Sequence, residues 1–229
     1  MSPLAQQNEQ RDQSWRAGAY HLARGDHQRA LALLSGAISD QSTDGSALNM
    51  RGLAEMMSNR LDKALQTFER ALSVEPELLE ARFNRGVVLL KLRQYDRASA
   101  EFEVVFRRGG LLTAPAAFHR AIAEEGSGRL ESSVQWLDRA LAADPAFDPA
   151  LLYLGSIRER QAELQAAGRA YRRYLDRHPD SIVALLRFGI VAHAAGHPET
   201  ARKYLRQVLE KAPESPEAVE ANKFLVMWE

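Results

Sequence analysis

The stretch GSALNMRGLAEMMSNRLDKALQTFERALSVEPELL, residues 45–79, decides the fold. It reads as two helices joined by a tight turn: the first over about 46–58, the turn at Asn59-Arg60, the second over 61–74. In the second, Leu61, Ala64, Leu65, Phe68, Ala71 and Leu72 recur at i, i+3, i+4, i+7, i+10 and i+11, which is one stripe of a helix. Pro76 then ends the segment. It has no amide hydrogen to donate, and it biases Glu75 away from helical geometry.

Outward from this stretch the same pattern recurs. Gly18, Gly52 and Gly86 lie 34 residues apart, Ala121 stands 35 further on, and Gly155 and Gly189 follow at 34 each. Twelve residues after each comes a small side chain: Ala30, Ala64, Ala98, Ser133, Ala167 and Ala201. Four later comes a large one: Leu34, Phe68, Phe102, Leu137, Tyr171 and Leu205. Three later again are Ala37, Ala71, Val105, Ala140, Tyr174 and Val208. Prolines close four of the six units, at Pro76, Pro145, Pro179 and Pro213. Glycine inside a helix costs roughly 1 kcal/mol against alanine, so its return at one phase needs a reason. Close approach of paired helices supplies it, with the large residue filling the space beside the glycine. One such pair cannot bury its own apolar face, whereas stacked pairs share a continuous seam.

The pattern resembles the tetratricopeptide repeat, whose period is 34. The family's Gly, Ala, Phe, Ala and Pro positions fall on Gly52, Ala64, Phe68, Ala71 and Pro76. Its Trp and Tyr positions do not match, since Leu48 and Glu55 stand there. The resemblance implies an all-α fold, a right-handed superhelical solenoid of helix-turn-helix repeats. Six repeats are expected at about 11–44, 45–78, 79–112, 114–147, 148–181 and 182–215. Residues 1–10, rich in Gln, Asn and Ser, are expected to be disordered or a frayed first turn. The Gln41-Ser42-Thr43-Asp44-Gly45 loop replaces the closing proline of repeat 1. A helix over 216–229 is expected to cap the open end, with Ser215 as N-cap and Pro216 in its first turn. The apolar tail Phe224-Leu225-Val226-Met227-Trp228 is expected to pack on repeat 6.

Composition narrows the function. The 30 basic and 30 acidic residues cancel, which gives no global attraction to nucleic acid. There are no cysteines, so disulfides, thiolate metal sites and cysteine nucleophiles are excluded. Nowhere do eighteen apolar residues run together, and no membrane span is expected. The polar start MSPLAQQNEQRDQ lacks the apolar core of a secretory signal, so a cytoplasmic location is expected by default. No catalytic constellation is visible. His193 and His197 have the spacing of two ligands on one helix face, but Gly196 and Pro198 put His197 in a turn. Glu124, Glu125, Glu101 and Glu103 read as ordinary surface carboxylates. No cofactor or metal is expected, and the chain reads as a non-enzyme.

The resemblance also implies a binding surface, because the first helix of each repeat lines the family's concave face. The inward positions carried over to this chain hold Trp15, Asn49, Phe83, Phe118, Leu152 and Leu186; Arg16, Met50, Asn84, His119, Tyr153 and Arg187; and Leu53, Val87, Ile122 and Ile190. Repeat 2 adds Met56 and Met57. An apolar wall of this kind suits an amphipathic helix or an extended apolar segment. The family's cationic clamp for a chaperone carboxylate is not matched: its five places hold Trp15, Ala19, Met50, Glu80 and Asn84, or Asn49, Leu53, Asn84, Pro115 and His119. The function expected is non-catalytic protein binding, as an adaptor or assembly factor. A self-associating scaffold, or a regulatory subunit of an enzyme or envelope machine, is the alternative. If Phe83 and Phe118 only line the groove, replacing both by Ala should leave thermal stability nearly unchanged.

Overall fold

The computed structural model describes residues 3–39 and 42–228. Met1, Ser2, Asp40, Gln41 and Glu229, which the expectations for the N-terminus, the first repeat with its closing loop and the last helix took in, lie outside the described residues. Thirteen helices and no strand occur among the described residues. They are α1 (Pro3–Ala23), α2 (His27–Ala37), α3 (Gly45–Met57), α4 (Leu61–Val74), α5 (Leu79–Lys91), α6 (Tyr95–Arg108) and α7 (Thr113–Gly126), followed by α8 (Leu130–Ala143), α9 (Asp148–Arg160), α10 (Leu164–Leu175), α11 (Ile182–Ala194), α12 (Pro198–Lys211) and α13 (Pro216–Met227). The fold is all-α and repetitive. The chain divides into two compact units, Met1–Arg129 and Leu130–Glu229. The period does not mark this division, which falls at the turn inside the fourth repeat.

In the first unit, α1 pairs with α2, α3 with α4 and α5 with α6, and α7 packs on α6. First helices also meet their successors, α3 on α5 and α5 on α7. In the second unit, α9 pairs with α10 and α11 with α12, α8 packs on α9, and α13 lies against both α11 and α12.

The recurrent glycines sit where large side chains press on a helix backbone. A Cβ on Gly52 would come within 2.8 Å of the Phe68 ring, and one on Gly86 within 2.8 Å of Phe102. At Gly155 the clash with Tyr171 would be at 2.5 Å, at Gly18 with Leu34 at 2.6 Å, and at Gly189 with Leu205 at 2.8 Å. Real Cβ contacts are not that short, so only glycine lets each pair of helices close. Gly155→Ala is therefore expected to cost about 1–3 kcal/mol, despite alanine's better helix propensity. Tyr171 is buried and tethered through its hydroxyl to Glu159, so it cannot easily move aside. Chemical denaturation would measure the loss, and a stabilised variant would contradict this packing.

The turns repeat as faithfully as the glycines. The residue that bends the chain from first to second helix is left-handed in all six: Gly25, Asn59, Arg93, Gly128, Ala162 and Gly196, with φ between 58° and 84°. In each, the next amide reaches back to a carbonyl near the end of the first helix, as from Arg60 N to Glu55 O at 2.9 Å and from His197 N to Ala192 O at 2.8 Å. This is the glycine-type helix C-cap. Arg93 and Ala162 adopt it without glycine, at a cost of about 1–2 kcal/mol each.

At the N-terminus helix α1 begins at Pro3, well ahead of the frayed segment expected through residue 10. Proline fits a first helical turn, and the next two turns are mostly Leu, Ala, Gln and Glu, so local propensity favours the helix. At the other end Ser215 caps α13, its hydroxyl accepting from Ala218 N at 3.1 Å. Phe224, Leu225 and Trp228 pack on the core of the last repeat, while Val226 and Met227 are exposed. The Trp228 ring stacks on His193 with centroids 3.5 Å apart.

Candidate functional site

On α3, α5 and α7 the first-helix positions are mostly half-buried and are joined from one repeat to the next by side-chain contacts. On α3, Asn49, Leu53 and Met56 share a face at i, i+4 and i+7, flanked by Met50 and Met57. The Asn84 amide of α5 donates to Asn49 Oδ1 at 3.0 Å, which joins that face to the next repeat. Phe83 of α5 meets His119 of α7 edge-on at 5.0 Å, which joins it to the third. Asn49, Met50, Leu53, Met56, Phe83, Asn84, Val87, Phe118, His119 and Ile122 are all half-buried, and Met57 is 44% exposed. Trp15 and Arg16, on α1, are exposed.

Several of these side chains also serve the core: Met50 and Met56 pack on the cluster around Phe68, and Phe83 and Val87 on that around Phe102. Phe83 lies edge-on to the fully buried Phe102 at 5.5 Å and packs on the cluster of Leu89, Ala98, Phe102 and Val105. Its truncation removes a core contact, so the Phe83/Phe118 double alanine is expected to lose stability rather than keep it. His119 is ringed by Phe83, Phe102 and Phe118 at 5.0–5.5 Å. Its Nδ1 lies 2.9 Å from the Pro115 carbonyl, which can only accept, so the ring proton sits on Nδ1. Burial pushes this imidazole below the usual histidine range, and the bond to Pro115 offsets part of the shift. The ring is therefore neutral at neutral pH and presents aromatic surface rather than charge.

In the second unit the wall is thinner. Leu152, Tyr153 and Ile190 are half-buried, and burial pushes the Tyr153 phenol up. Arg187 is exposed and reaches Glu159 at 3.5 Å. Leu186 is not a groove residue, being only 3% exposed. It belongs to the cluster formed by Leu185, Phe188, Leu205 and the α13 residues Ala218 and Ala221. With α13 seated on α11 and α12, that end of the array is closed by the chain itself.

The carboxylates that read as surface decoration are partly structural. Glu124 is buried, accepts from Ser99 Oγ at 2.7 Å and from Arg129 Nε at 2.6 Å, and pairs with Arg120. Glu101 takes Arg85 at 2.5 Å and Arg82 at 3.4 Å, and Glu103 pairs with Arg107 and Arg120. In repeat 2 Arg51, Glu55 and Thr67 form a buried group. Arg51 donates to Ile38 O at 2.9 Å and Thr67 Oγ1 at 3.2 Å, and Thr67 donates to Glu55 at 2.6 Å. A sequence signal for these existed: Arg51, Arg85 and Arg120 recur with the repeat, and Arg51/Glu55 and Arg120/Glu124 are i,i+4 pairs.

His193 lies on α11 against Trp228, and His197 sits in the turn before α12. No group of three or more His, Cys, Asp or Glu side chains able to hold a metal occurs among the described residues. Nor is any helix among them long and apolar enough to cross a membrane.

Models of the tetratricopeptide repeat match residues 16–78, 83–146 and 159–221, and the chain belongs to that family. Its fold is close to those of several solved proteins. PilW, a widely conserved type IV pilus biogenesis factor, superposes with a TM-score of 0.80 at 23% identity over 90% of this chain and 96% of that one. The pilF protein of Pseudomonas aeruginosa gives 0.76 at 16% identity over 96% and 99%. YrrB, a repeat protein of the same family with an unusual peptide-binding site, gives 0.65 at 18% identity over 83% and 97%. At these identities the likeness is one of fold. No curated protein matches the sequence. The repeat fold supports a protein-interaction module.

Proposed function

We propose that the protein is a non-catalytic adaptor or assembly factor that holds an amphipathic helix or extended apolar segment of a partner on the first-helix wall of its first unit. The observation that carries this reading is the row of half-buried Met50, Leu53, Phe83, Val87, Phe118 and Ile122 on α3, α5 and α7, linked by the Asn49–Asn84 and Phe83–His119 contacts. A partly wetted apolar row of this extent marks an interaction surface. The Asn49–Asn84 amide pair crosses it and offers hydrogen bonds that would set the register of a bound segment. A neutral His119 keeps cationic charge off the wall. A second reading, a regulatory subunit of an envelope machine, takes its support from the likeness in fold to PilW, a type IV pilus biogenesis factor, over 90% of this chain.

The test is selection of phage-displayed random peptides on the purified protein and on a Leu53→Ser/Ile122→Ser variant. Both residues are half-buried rather than buried, so the variant is expected to melt within a few degrees of the parent. Selected peptides should space apolar residues at i and i+3 or i+4, and their affinity for the variant should fall about tenfold or more. Failure to enrich any peptide, or peptides that bind parent and variant alike, would refute the reading.

A further inference from the structure

The face of α3 turned away from this wall opens into a cleft of about 470 Å³. Arg51 and Glu55 stand two residues beyond Asn49 and Leu53, roughly 200° around the helix, so wall and cleft lie on opposite sides. Ser35 of α2, Arg51 and Glu55 of α3, and Lys63, Gln66, Thr67 and Arg70 of α4 line it. On α4 the residues 63, 66, 67 and 70 form one stripe along this cleft. The cleft is large enough for a small molecule and, unlike the wall, is lined by polar groups.

Its charge is unbalanced. Glu55 is matched by Arg51, whose guanidinium is held by the Ile38 carbonyl and Thr67. Glu69, on α4, is directed to Arg97 of the next repeat, and Glu75 to the amide of Gly45. Among the described residues no carboxylate pairs with Lys63 or Arg70; Arg70 makes only a 3.4 Å contact with Ser73. Two exposed cationic side chains, Lys63 and Arg70, thus flank a floor in which Thr67 is held between Arg51 and Glu55, with Ser35 and Gln66 exposed beside it.

We infer that this cleft is a second binding site, independent of the groove, and that it takes a small polyanion bearing two phosphate or carboxylate groups. Lys63 and Arg70 stand two turns apart, about 10 Å along α4, so their side chains close on an oxyanion from both ends. Arg70 can engage it bidentately and Lys63 as a point charge. Gln66 and Ser35 supply neutral hydrogen bonds between them.

Calorimetric titration with inorganic pyrophosphate and, separately, citrate, at about 150 mM salt, tests this. Saturable binding is expected for at least one probe, with amide shifts at Ser35, Gln66 and Thr67. Pyrophosphate alone would assign phosphate chemistry and citrate alone carboxylate chemistry. Lys63→Gln/Arg70→Gln alters two exposed residues and should keep its melting temperature while losing about tenfold or more in affinity. The groove variant Leu53→Ser/Ile122→Ser should bind as the parent does. No binding of either probe, or equal binding by the Lys63/Arg70 variant, would overturn the site and leave the groove reading untouched.

Discussion

Phe68→Ala is expected to lower the unfolding free energy by about 3–5 kcal/mol. Phe68 is fully buried, with its ring laid over Gly52 and with Ala64 and Ala71 on its own helix also buried. The loss combines the transfer energy of a benzyl group with the cavity left behind. That cavity would collapse poorly on the side of Gly52, Ala64 and Ala71, which have no side chain long enough to reach into it. Phe68→Leu keeps most of the volume and should cost less than half as much. Urea denaturation would give the magnitudes, and hydrogen exchange would place the loss in α3 and α4, since each repeat depends on its immediate neighbours. A loss below about 1 kcal/mol would mean that the ring is not the filler of this crossing.

Arg51→Met is expected to cost about 3–5 kcal/mol at neutral pH, because it strands Glu55 as a buried carboxylate without its cation. Among the described residues, the Thr67 hydroxyl alone would remain to hydrogen-bond it. Burial penalises the ionised form of a carboxylate that has lost its cation, so protonation favours the folded variant and the deficit should shrink as pH falls. Adding Glu55→Gln removes the charge while keeping an acceptor for Thr67, and should restore half or more of the loss. Denaturation of both variants across pH checks this. A deficit that does not change with pH, or no rescue by Glu55→Gln, would mean that the charge of Glu55 is not what Arg51 serves.

The elements differ in how far they could be read in advance. The helix over Leu61–Val74 falls on the residues that its apolar stripe marks, because a stripe and a proline just beyond it are local signals. The left-handed turns at Gly25, Gly128 and Gly196 carry their own chemistry, whereas those at Arg93 and Ala162 do not, and only the repeat phase places them. Glu124 looks like any helix-surface carboxylate until Ser99 and Arg129 are brought to it, 25 residues before and 5 after. Phe83 has the position of a groove residue, yet its ring also leans on Phe102, since a half-buried aromatic is wide enough to touch both the core and the surface.

By itself the sequence determined the repeat, its phase, and the crossing points of the paired helices. A glycine and a large side chain sixteen residues later meet within one hairpin, and that geometry follows from local chain length alone. Tertiary structure alone decided which inward positions stay open. Leu186 and Leu152 hold equivalent places in their repeats, but α13 and its neighbours close over the first and leave the second half-exposed. Exposure depends on what the neighbouring repeat lays against a face, and helical periodicity, which fixes only which residues share that face, carries no record of it.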